Sequence, residues 1–141
     1  MAVAHRLDHI APFHVMAILE KAKALEAAGH DVIHMEIGEP DFPTPAPIVA
    51  AGMAALQNGR TFYTPALGIP ELRQAIAHFY QQRYGVDVPA RRIVVTPGAS
   101  GALQLALAAL VNPGEQVLLP DPTYPCNRHL VSLVNGEPVS I

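Results

Sequence analysis

Hydrophobic and polar positions along the chain follow two different periods. Over residues 13–28, apolar side chains recur at three- and four-residue steps, which is the spacing of an amphipathic helix. Gly29 follows at the position where a glycine in the left-handed conformation commonly ends a helix. Over residues 32–37 the pattern changes to alternation, which predicts a short strand.

A proline-rich segment comes next. Residues 38–47 contain four prolines, and each proline fixes its φ angle and removes a backbone donor. We therefore expect an ordered connector without regular structure, and a boundary between two parts of the fold. Beyond it, helices are predicted over residues 47–58, with a stop signal at Asn58-Gly59, and from Pro70 to the stop at Gly85.

The remainder of the chain alternates between strand and helix patterns. Strands are predicted at residues 92–96, at 117–119 and from 138 onward, from their β-branched or apolar runs. Helices are predicted at 99–110, which is apolar nearly all round and therefore expected to be buried, and at 124–134. The order β, α, β, α, β predicts an α/β domain with a largely parallel sheet.

Composition excludes several classes of protein. The chain has 141 residues, of which 50% are hydrophobic and 15% charged, with a formal net charge of −3. A nucleic-acid-binding protein would carry a basic patch or stripe, and no such run is present. No apolar stretch approaches the roughly 20 residues that cross a bilayer. A single cysteine, Cys126, excludes an intrachain disulfide framework, and we expect a cytoplasmic protein.

One candidate anion site lies at Thr96-Pro97-Gly98-Ala99-Ser100-Gly101. This turn joins a predicted strand to a predicted helix, so free N–H groups and the positive end of a helix dipole would meet there. The Ser100 hydroxyl could donate a further hydrogen bond to a phosphate. Alternatively, Ser100 only caps the helix, and the motif taken alone favours that simpler interpretation.

Three further motifs are ambiguous when each is taken alone. In Asp121-Pro122-Thr123-Tyr124-Pro125, the Tyr124 ring could stack on a flat heterocycle or pack as an ordinary hydrophobic residue. In Thr61-Phe62-Tyr63-Thr64-Pro65, Tyr63 offers a phenolic donor, although an anchoring role in the loop is the simpler interpretation. Gly38-Glu39-Pro40-Asp41 indicates a rigid turn or a close approach. The seven histidines suggest no metal site from their spacing, and Cys126 has no obvious base partner.

Taken in order, these four motifs closely resemble those of the class I and II aminotransferases, the fold-type I enzymes related to aspartate aminotransferase. The quoted segments are Gly38-Glu39-Pro40-Asp41-Phe42, Tyr63 with Gly68-Ile69-Pro70-Glu71-Leu72-Arg73, Thr96-Pro97-Gly98-Ala99-Ser100, and Asp121-Pro122-Thr123-Tyr124-Pro125. The resemblance covers the chain from about residue 10 to its end. It implies part of a three-layer α/β/α large domain with a mostly parallel sheet, over residues 47–141. It also implies an N-terminal arm and a small-domain helix and strand over residues 1–46.

The resemblance implies a role for each candidate residue. Gly98, Ala99 and Ser100 match the turn that holds the phosphate of pyridoxal 5'-phosphate, and Tyr124 matches the aromatic residue stacked on the pyridine ring. Tyr63 matches the tyrosine that reaches the cofactor of the neighbouring subunit, which implies a homodimer. Gly38 matches the glycine that lies against the α-carboxylate of the substrate. The implied reaction is amino-group transfer between an L-amino acid and a 2-oxo acid.

No residue of this chain matches the Schiff-base lysine of the family. The only lysines are Lys21 and Lys23, on the first predicted helix, far upstream of where the family has that residue. We therefore expect the chain to be part of a longer protein, to be inactive alone, and to be insoluble, partly molten or non-natively paired when expressed alone. Other fold-type I chemistry, such as C–S lysis or decarboxylation, remains open, as does a non-catalytic module that binds phosphate or a partner.

Overall fold

The computed structural model describes residues 3–141, and they form two compact units. One unit comprises the residues up to Asp41 together with Leu103–Ile141, and the other comprises Phe42–Ala102. None of the helices described is both long enough and apolar enough to cross a membrane.

The first unit begins with a short 3-10 helix, His5–His9, and helix α1, His14–Ala27. Helix α1 ends as its sequence predicts, because Gly29 adopts a φ angle of 90°. The chain can then turn back, and the His30 N–H donates to the Leu25 carbonyl at 3.1 Å. This backbone hydrogen bond is typical of a glycine-terminated helix.

The second unit contains helices α2, Ala46–Gln57, and α3, Pro70–Tyr84, and a 3-10 turn, Ala90–Arg92. Helix α4, Gly98–Leu110, begins in this unit and continues into the first. These bounds agree with the predicted helices to within one residue at nearly every end. Proline occupies the first helical position of α3, where its missing N–H has no intrahelical partner to lose.

The C-terminal part of the first unit is a parallel β–α–β motif. Strands β1, Gln116–Leu119, and β2, Glu137–Ser140, pair in parallel, with Leu118 opposite Val139. Helix α5, Pro125–Leu133, connects them. The predicted order of strand, helix and strand is therefore confirmed from residue 116 onward.

The best-packed side chain of this motif is Val131 of α5, which is 1% exposed. It lies close to Gly136, where an added Cβ would stand 3.0 Å from Val131 Cγ1 and 3.1 Å from Val111 Cγ1. A larger residue at position 136 would therefore clash with the small core that joins α5 to the end of α4.

Two of the predicted strands are wrong. Residues 92–96 and 32–37 form no strand, because Arg92 ends a 3-10 turn and residues 93–96 have no regular structure, although both segments have strand-like sequences. A strand is defined by hydrogen bonds to a neighbouring strand, and within residues 3–141 neither segment has one. In the first segment, only Val95 makes a backbone hydrogen bond to a distant part of the chain, through its N–H to the Leu67 carbonyl at 3.1 Å.

The predicted burial of helix α4 is also wrong. Its apolar composition is as expected, but none of its thirteen residues is buried in the part of the chain that the structure describes. Leu105 is 54% exposed and Leu110 is 79% exposed. A helix that is apolar nearly all round requires packing partners on several sides, and residues 3–141 do not provide them.

Candidate functional site

The predicted phosphate turn has the geometry of a tight entry into a helix. Gly98 is the first residue of α4 and has a φ angle of 81°, in the left-handed region that favours glycine. Its N–H donates to the Thr96 carbonyl at 2.8 Å, and its carbonyl accepts from Thr96 Oγ1 at 2.9 Å. These two hydrogen bonds hold residues 96–98 in a compact turn that reverses the chain into the helix.

Unpaired N–H groups lie at the start of this helix. Among residues 3–141, no backbone acceptor faces the N–H groups of Ala99 and Ser100, as expected for the first turn of a helix. Ser100 is exposed and lies inside that turn, because α4 already begins at Gly98. A simple N-cap role for Ser100 does not fit this position, and the two amides, the hydroxyl and the helix dipole form a suitable environment for an anion.

The segment that leads into this turn is fixed to α3. Arg73 Nε donates to the Ile93 carbonyl at 2.9 Å, and Arg73 Nη2 donates to the Ala90 carbonyl at 2.6 Å. The sequence motif includes Arg73 but gives no indication of this role, because its two acceptors are 17 and 20 residues away and are backbone atoms. Sequence spacing carries no signal for such a contact.

A second attachment holds the same segment to the loop between α2 and α3. Gly68 has a φ angle of 95°, and a Cβ added there would lie 2.6 Å from Val95 Cγ2. The positive φ angle and the close approach of Val95 each favour glycine at position 68. The hydrogen bond from the Val95 N–H to the Leu67 carbonyl holds Val95 at this short distance. The motif Gly68-Ile69-Pro70 thus has a structural explanation within this unit.

Tyr63 lies in the same loop and is fully exposed. Its side chain has a relative exposure of 108%, and the neighbouring Phe62 is 87% exposed. An anchoring role for Tyr63 within residues 3–141 does not fit this exposure. The ring is instead available to a molecule or subunit outside the chain.

Tyr124 is the N-cap residue of α5 and is 55% exposed. Its ring and the Phe13 ring form an edge-to-face pair, with centroids 5.7 Å apart and an interplanar angle of 73°, which is a favourable aromatic arrangement. A hydrogen bond with the Cys126 side chain, with a smaller effect of desolvation, raises the pKa of the Tyr124 phenol, so the hydroxyl stays neutral at physiological pH.

Gly38 lies in an open part of the loop after α1. A Cβ added there would have no atom within 4 Å, and its φ angle lies outside the left-handed region. Nothing within residues 3–141 therefore explains a glycine at this position by packing or backbone conformation.

The structure brings some predicted site residues together and leaves the grouping of others as a prediction. Gly98, Ala99 and Ser100 form one continuous turn, in the same unit as Tyr63. Gly38 and Tyr124 belong to the other unit. The placement of the Tyr124 ring beside the phosphate turn thus remains a prediction.

Three of the histidines, which their sequence spacing does not group, line one cavity in the first unit. His5, His9 and His129 line a space of about 640 Å³ together with Arg6 and Arg128. Within the described part of the chain, no three histidine, cysteine or acidic side chains are arranged to hold a metal ion. The sequence feature that corresponds to this grouping is a pair of basic dipeptides, His5-Arg6 and Arg128-His129, which both line the cavity.

Comparison with known proteins gives consistent results. The family described as aminotransferase class I and II matches residues 30–141. The chain is 42% identical over 137 residues to the (5-formylfuran-3-yl)methyl phosphate transaminase of Methanocaldococcus jannaschii. It is 38% identical over 141 residues to an aspartate aminotransferase of Geobacillus stearothermophilus. These alignments cover 97% and 100% of the chain but only 37% and 36% of the relatives.

Solved structures give the same assignment. An aminotransferase from Mycobacterium tuberculosis matches all of the chain with a TM-score of 0.94 and 38% identity. The aspartate aminotransferase of Thermus thermophilus with maleate matches all of the chain with a TM-score of 0.94 and 32% identity. The chain spans 36% and 37% of those two proteins.

Proposed function

Since this chain belongs to the class I and II aminotransferase family and has part of the fold of the fold-type I enzymes, we propose that it forms the N-terminal part of a pyridoxal-phosphate-dependent aminotransferase. The longer protein would transfer an amino group between an L-amino acid and a 2-oxo acid. The observation that carries the proposal is the turn at the start of α4, where the Ala99 and Ser100 amides have no backbone acceptor among residues 3–141.

This turn fits the phosphate of the cofactor. The N–H groups of Ala99 and Ser100 would donate to phosphate oxygens, the Ser100 hydroxyl would add a third donor, and the dipole of the thirteen-residue helix α4 would favour the negative charge. Gly98 lets the backbone turn sharply enough to present these amides. Bound in this way, the cofactor supplies an electron sink for the substrate α-carbon, and the turn fixes its phosphate end.

Tyr124 would support the pyridine ring of the cofactor. An exposed tyrosine at the end of a loop, packed against Phe13 in an edge-to-face pair, offers a flat apolar ring at little further entropic cost. Stacking needs the ring rather than the hydroxyl. Replacing Tyr124 by phenylalanine should therefore preserve cofactor binding, whereas replacing it by alanine should weaken binding by about fivefold, in line with about 1 kcal/mol for such aromatic pairs.

Tyr63 would complete the site of the neighbouring subunit in a homodimer. Its complete exposure is what a residue needs if its partner lies in another chain. The test is Tyr63→Phe, which removes only the hydroxyl and should weaken cofactor binding. Tyr84→Phe is the matched control, because Tyr84 is also exposed but packs against Phe79 and Tyr80. Equal effects of the two substitutions would contradict the proposed role of Tyr63.

Gly38 would lie against the substrate α-carboxylate, because nothing within residues 3–141 otherwise explains a glycine there. The covalent link to the cofactor would come from a lysine outside this chain. Lys21 and Lys23 belong to α1 and match no such residue. Borohydride reduction of the loaded protein, followed by peptide mapping, should find the cofactor on neither of these lysines.

The activity is tested directly by incubating the intact protein with pyridoxal phosphate, 2-oxoglutarate or pyruvate, and a panel of L-amino acids. We expect formation of glutamate or alanine with at least one donor. Release of ammonia, carbon dioxide or a thiol without a new amino acid would show a lyase or decarboxylase instead. We also propose that the protein acts in amino acid metabolism in the cytoplasm.

A further inference from the structure

We infer that Arg73 is a positioning residue that holds the phosphate turn in its binding geometry, and this inference rests on the proposed function. Arg73 lies in the first part of α3 and contacts neither Gly98, Ala99 nor Ser100 through a hydrogen bond. Its action is on the segment that leads into them. The proposal adds a residue whose effect on cofactor binding would pass through backbone carbonyls.

The geometry of the contact explains why an arginine is present. Two different nitrogens of one guanidinium group donate to two carbonyls, Nε to Ile93 at 2.9 Å and Nη2 to Ala90 at 2.6 Å. The planar fork of the guanidinium fixes both acceptors relative to each other. Residues 90–93 are thereby joined to α3 at two points, and only Val94 and Val95 separate them from Thr96, where the turn starts.

Arg73 attaches this segment at its start, and the loop before α3 attaches it nearer the turn. There the Val95 N–H donates to the Leu67 carbonyl at 3.1 Å, and the Val95 side chain lies against Gly68. The guanidinium also satisfies the partly buried Ile93 carbonyl, and leaving such a group unpaired is costly. The Ala90 carbonyl accepts a second hydrogen bond, from the Ile93 N–H at 3.2 Å, so the guanidinium joins that turn to α3 rather than being its only donor. Loss of Arg73 would free the start of the segment, and the Ala99 and Ser100 amides would lose part of their preorganisation.

The test compares Arg73→Met with Arg83→Met in the intact protein. Both residues belong to α3, and methionine keeps an unbranched stem while removing the donors. The Arg83 side chain is exposed and makes no hydrogen bond within residues 3–141, so its substitution controls for charge and helix propensity. Equilibrium dialysis gives the dissociation constant of pyridoxal phosphate, and the ³¹P chemical shift of the bound cofactor reports the environment of its phosphate.

We expect Arg73→Met to raise the dissociation constant by about tenfold, the size of effect expected when charge-assisted hydrogen bonds are lost, and to shift the ³¹P resonance. Arg83→Met should change neither. Arg73→Lys keeps the charge and can reach one carbonyl, so it should restore part of the affinity, and it also serves if Arg73→Met does not fold. Wild-type affinity and an unshifted resonance in Arg73→Met, or in Arg73→Lys if only that variant is soluble, would overturn the inference. Failure of the wild-type protein to bind the cofactor would instead contradict the proposed function.

Discussion

Residues 93–96 and 116–119 have similar sequences but different structures. Both are short runs of β-branched or aliphatic side chains that precede a turn with candidate binding residues. Residues 116–119 form strand β1, because β2 follows about 20 residues later and pairs with it in parallel. Residues 93–96 form no strand, because no neighbouring strand is available within residues 3–141.

The difference shows that strand propensity and strand formation are separate properties. Side-chain pattern selects segments that suit a sheet, but a partner strand supplies the hydrogen bonds. For β1 that partner follows after one helix. The chain covers little more than a third of its family relatives. For residues 93–96, we therefore propose that the partner strands come from sequence outside the chain.

The largest expected effect concerns hydrogen exchange at Val94. In the 141-residue chain we expect the Val94 amide to exchange rapidly, because no acceptor for it is found among residues 3–141. In the intact protein its exchange should be slower by about a hundredfold, since an opening free energy of roughly 2.8 kcal/mol gives that factor. The Ile141 amide, which donates to the Leu119 carbonyl at 3.0 Å, should be protected in both. Equal protection of Val94 in the two proteins would contradict the comparison.

A second prediction concerns the packing of Gly68 against Val95. Gly68→Ala and Gly59→Ala both place a side chain at positive φ, at 95° and 67°, which costs about 1–2 kcal/mol in each case. Only at Gly68 does the new Cβ also clash with Val95. We expect Gly68→Ala to lower the free energy of unfolding of the intact protein by about 2 kcal/mol more than Gly59→Ala does. Urea denaturation measures both, and equal values would show that Val95 moves away at no cost.

A third prediction compares the same substitution in the two regions. Val131 is 1% exposed and Val94 is 45% exposed. In the 141-residue chain recovered in soluble form with native pairing of β1 and β2, Val131→Ala should destabilise the β–α–β motif by about 1.5 kcal/mol through lost burial and a cavity, and should accelerate exchange at Ile141 accordingly. Val94→Ala should change that exchange by less than about 0.5 kcal/mol in opening free energy. A larger destabilisation by Val94→Ala than by Val131→Ala would contradict the assignment of the packed core to the β–α–β motif.

The smallest expected effect concerns the other predicted strand, residues 32–37. There, His34 contacts Glu36 at 2.6 Å through Nδ1 and Glu26 of α1 at 3.0 Å through Nε2. The hydrogen bonds to Glu36 and Glu26 raise the pKa of His34, and the hydrogen bond to His34 lowers the pKa of Glu36.

The pH dependence follows from these two directions. The contribution of His34 is fully present below its ordinary pKa of 6.5 and is lost as the pH rises through the raised value. The contribution of Glu36 is present above 4.5 and is lost as the pH falls through the lowered value. We therefore expect the contact to be strongest between about pH 4.5 and 6.5, as followed by NMR titration of the His34 ring. In Glu36→Gln, the pKa of His34 should fall, and an unchanged titration would contradict the assigned cause.

Local signals in the sequence were sufficient for the helices and for the β–α–β motif. Gly29 has the positive φ angle that its position after α1 predicted, and the α5 pattern connects two strands that pair within the chain. Burial of α4 and pairing of residues 93–96 could not be predicted correctly, because both depend on partners that residues 3–141 do not contain. The role of Arg73 could not be predicted either, because its acceptors are backbone carbonyls distant in sequence.

The candidate site was predicted in its chemistry more completely than in its geometry. The motif around Gly98 allowed an anion-binding turn, and the resemblance to the aminotransferases, rather than the motif alone, favoured it over a simple cap. The structure has the unpaired amides and the helix start in place. The position of Tyr124 relative to that turn depends on how two separate units are arranged, which no local pattern encodes. Ligand binding by both therefore remains a prediction.

A crystal structure of the intact protein with pyridoxal 5'-phosphate tests the proposed site most directly. We expect phosphate oxygens within about 3.2 Å of the Ala99 and Ser100 amide nitrogens, the usual range for such hydrogen bonds, and the pyridine ring stacked on Tyr124. A phosphate bound elsewhere, with the first turn of α4 facing only protein or solvent and the Tyr124 ring packed away from the cofactor, would contradict the assignment.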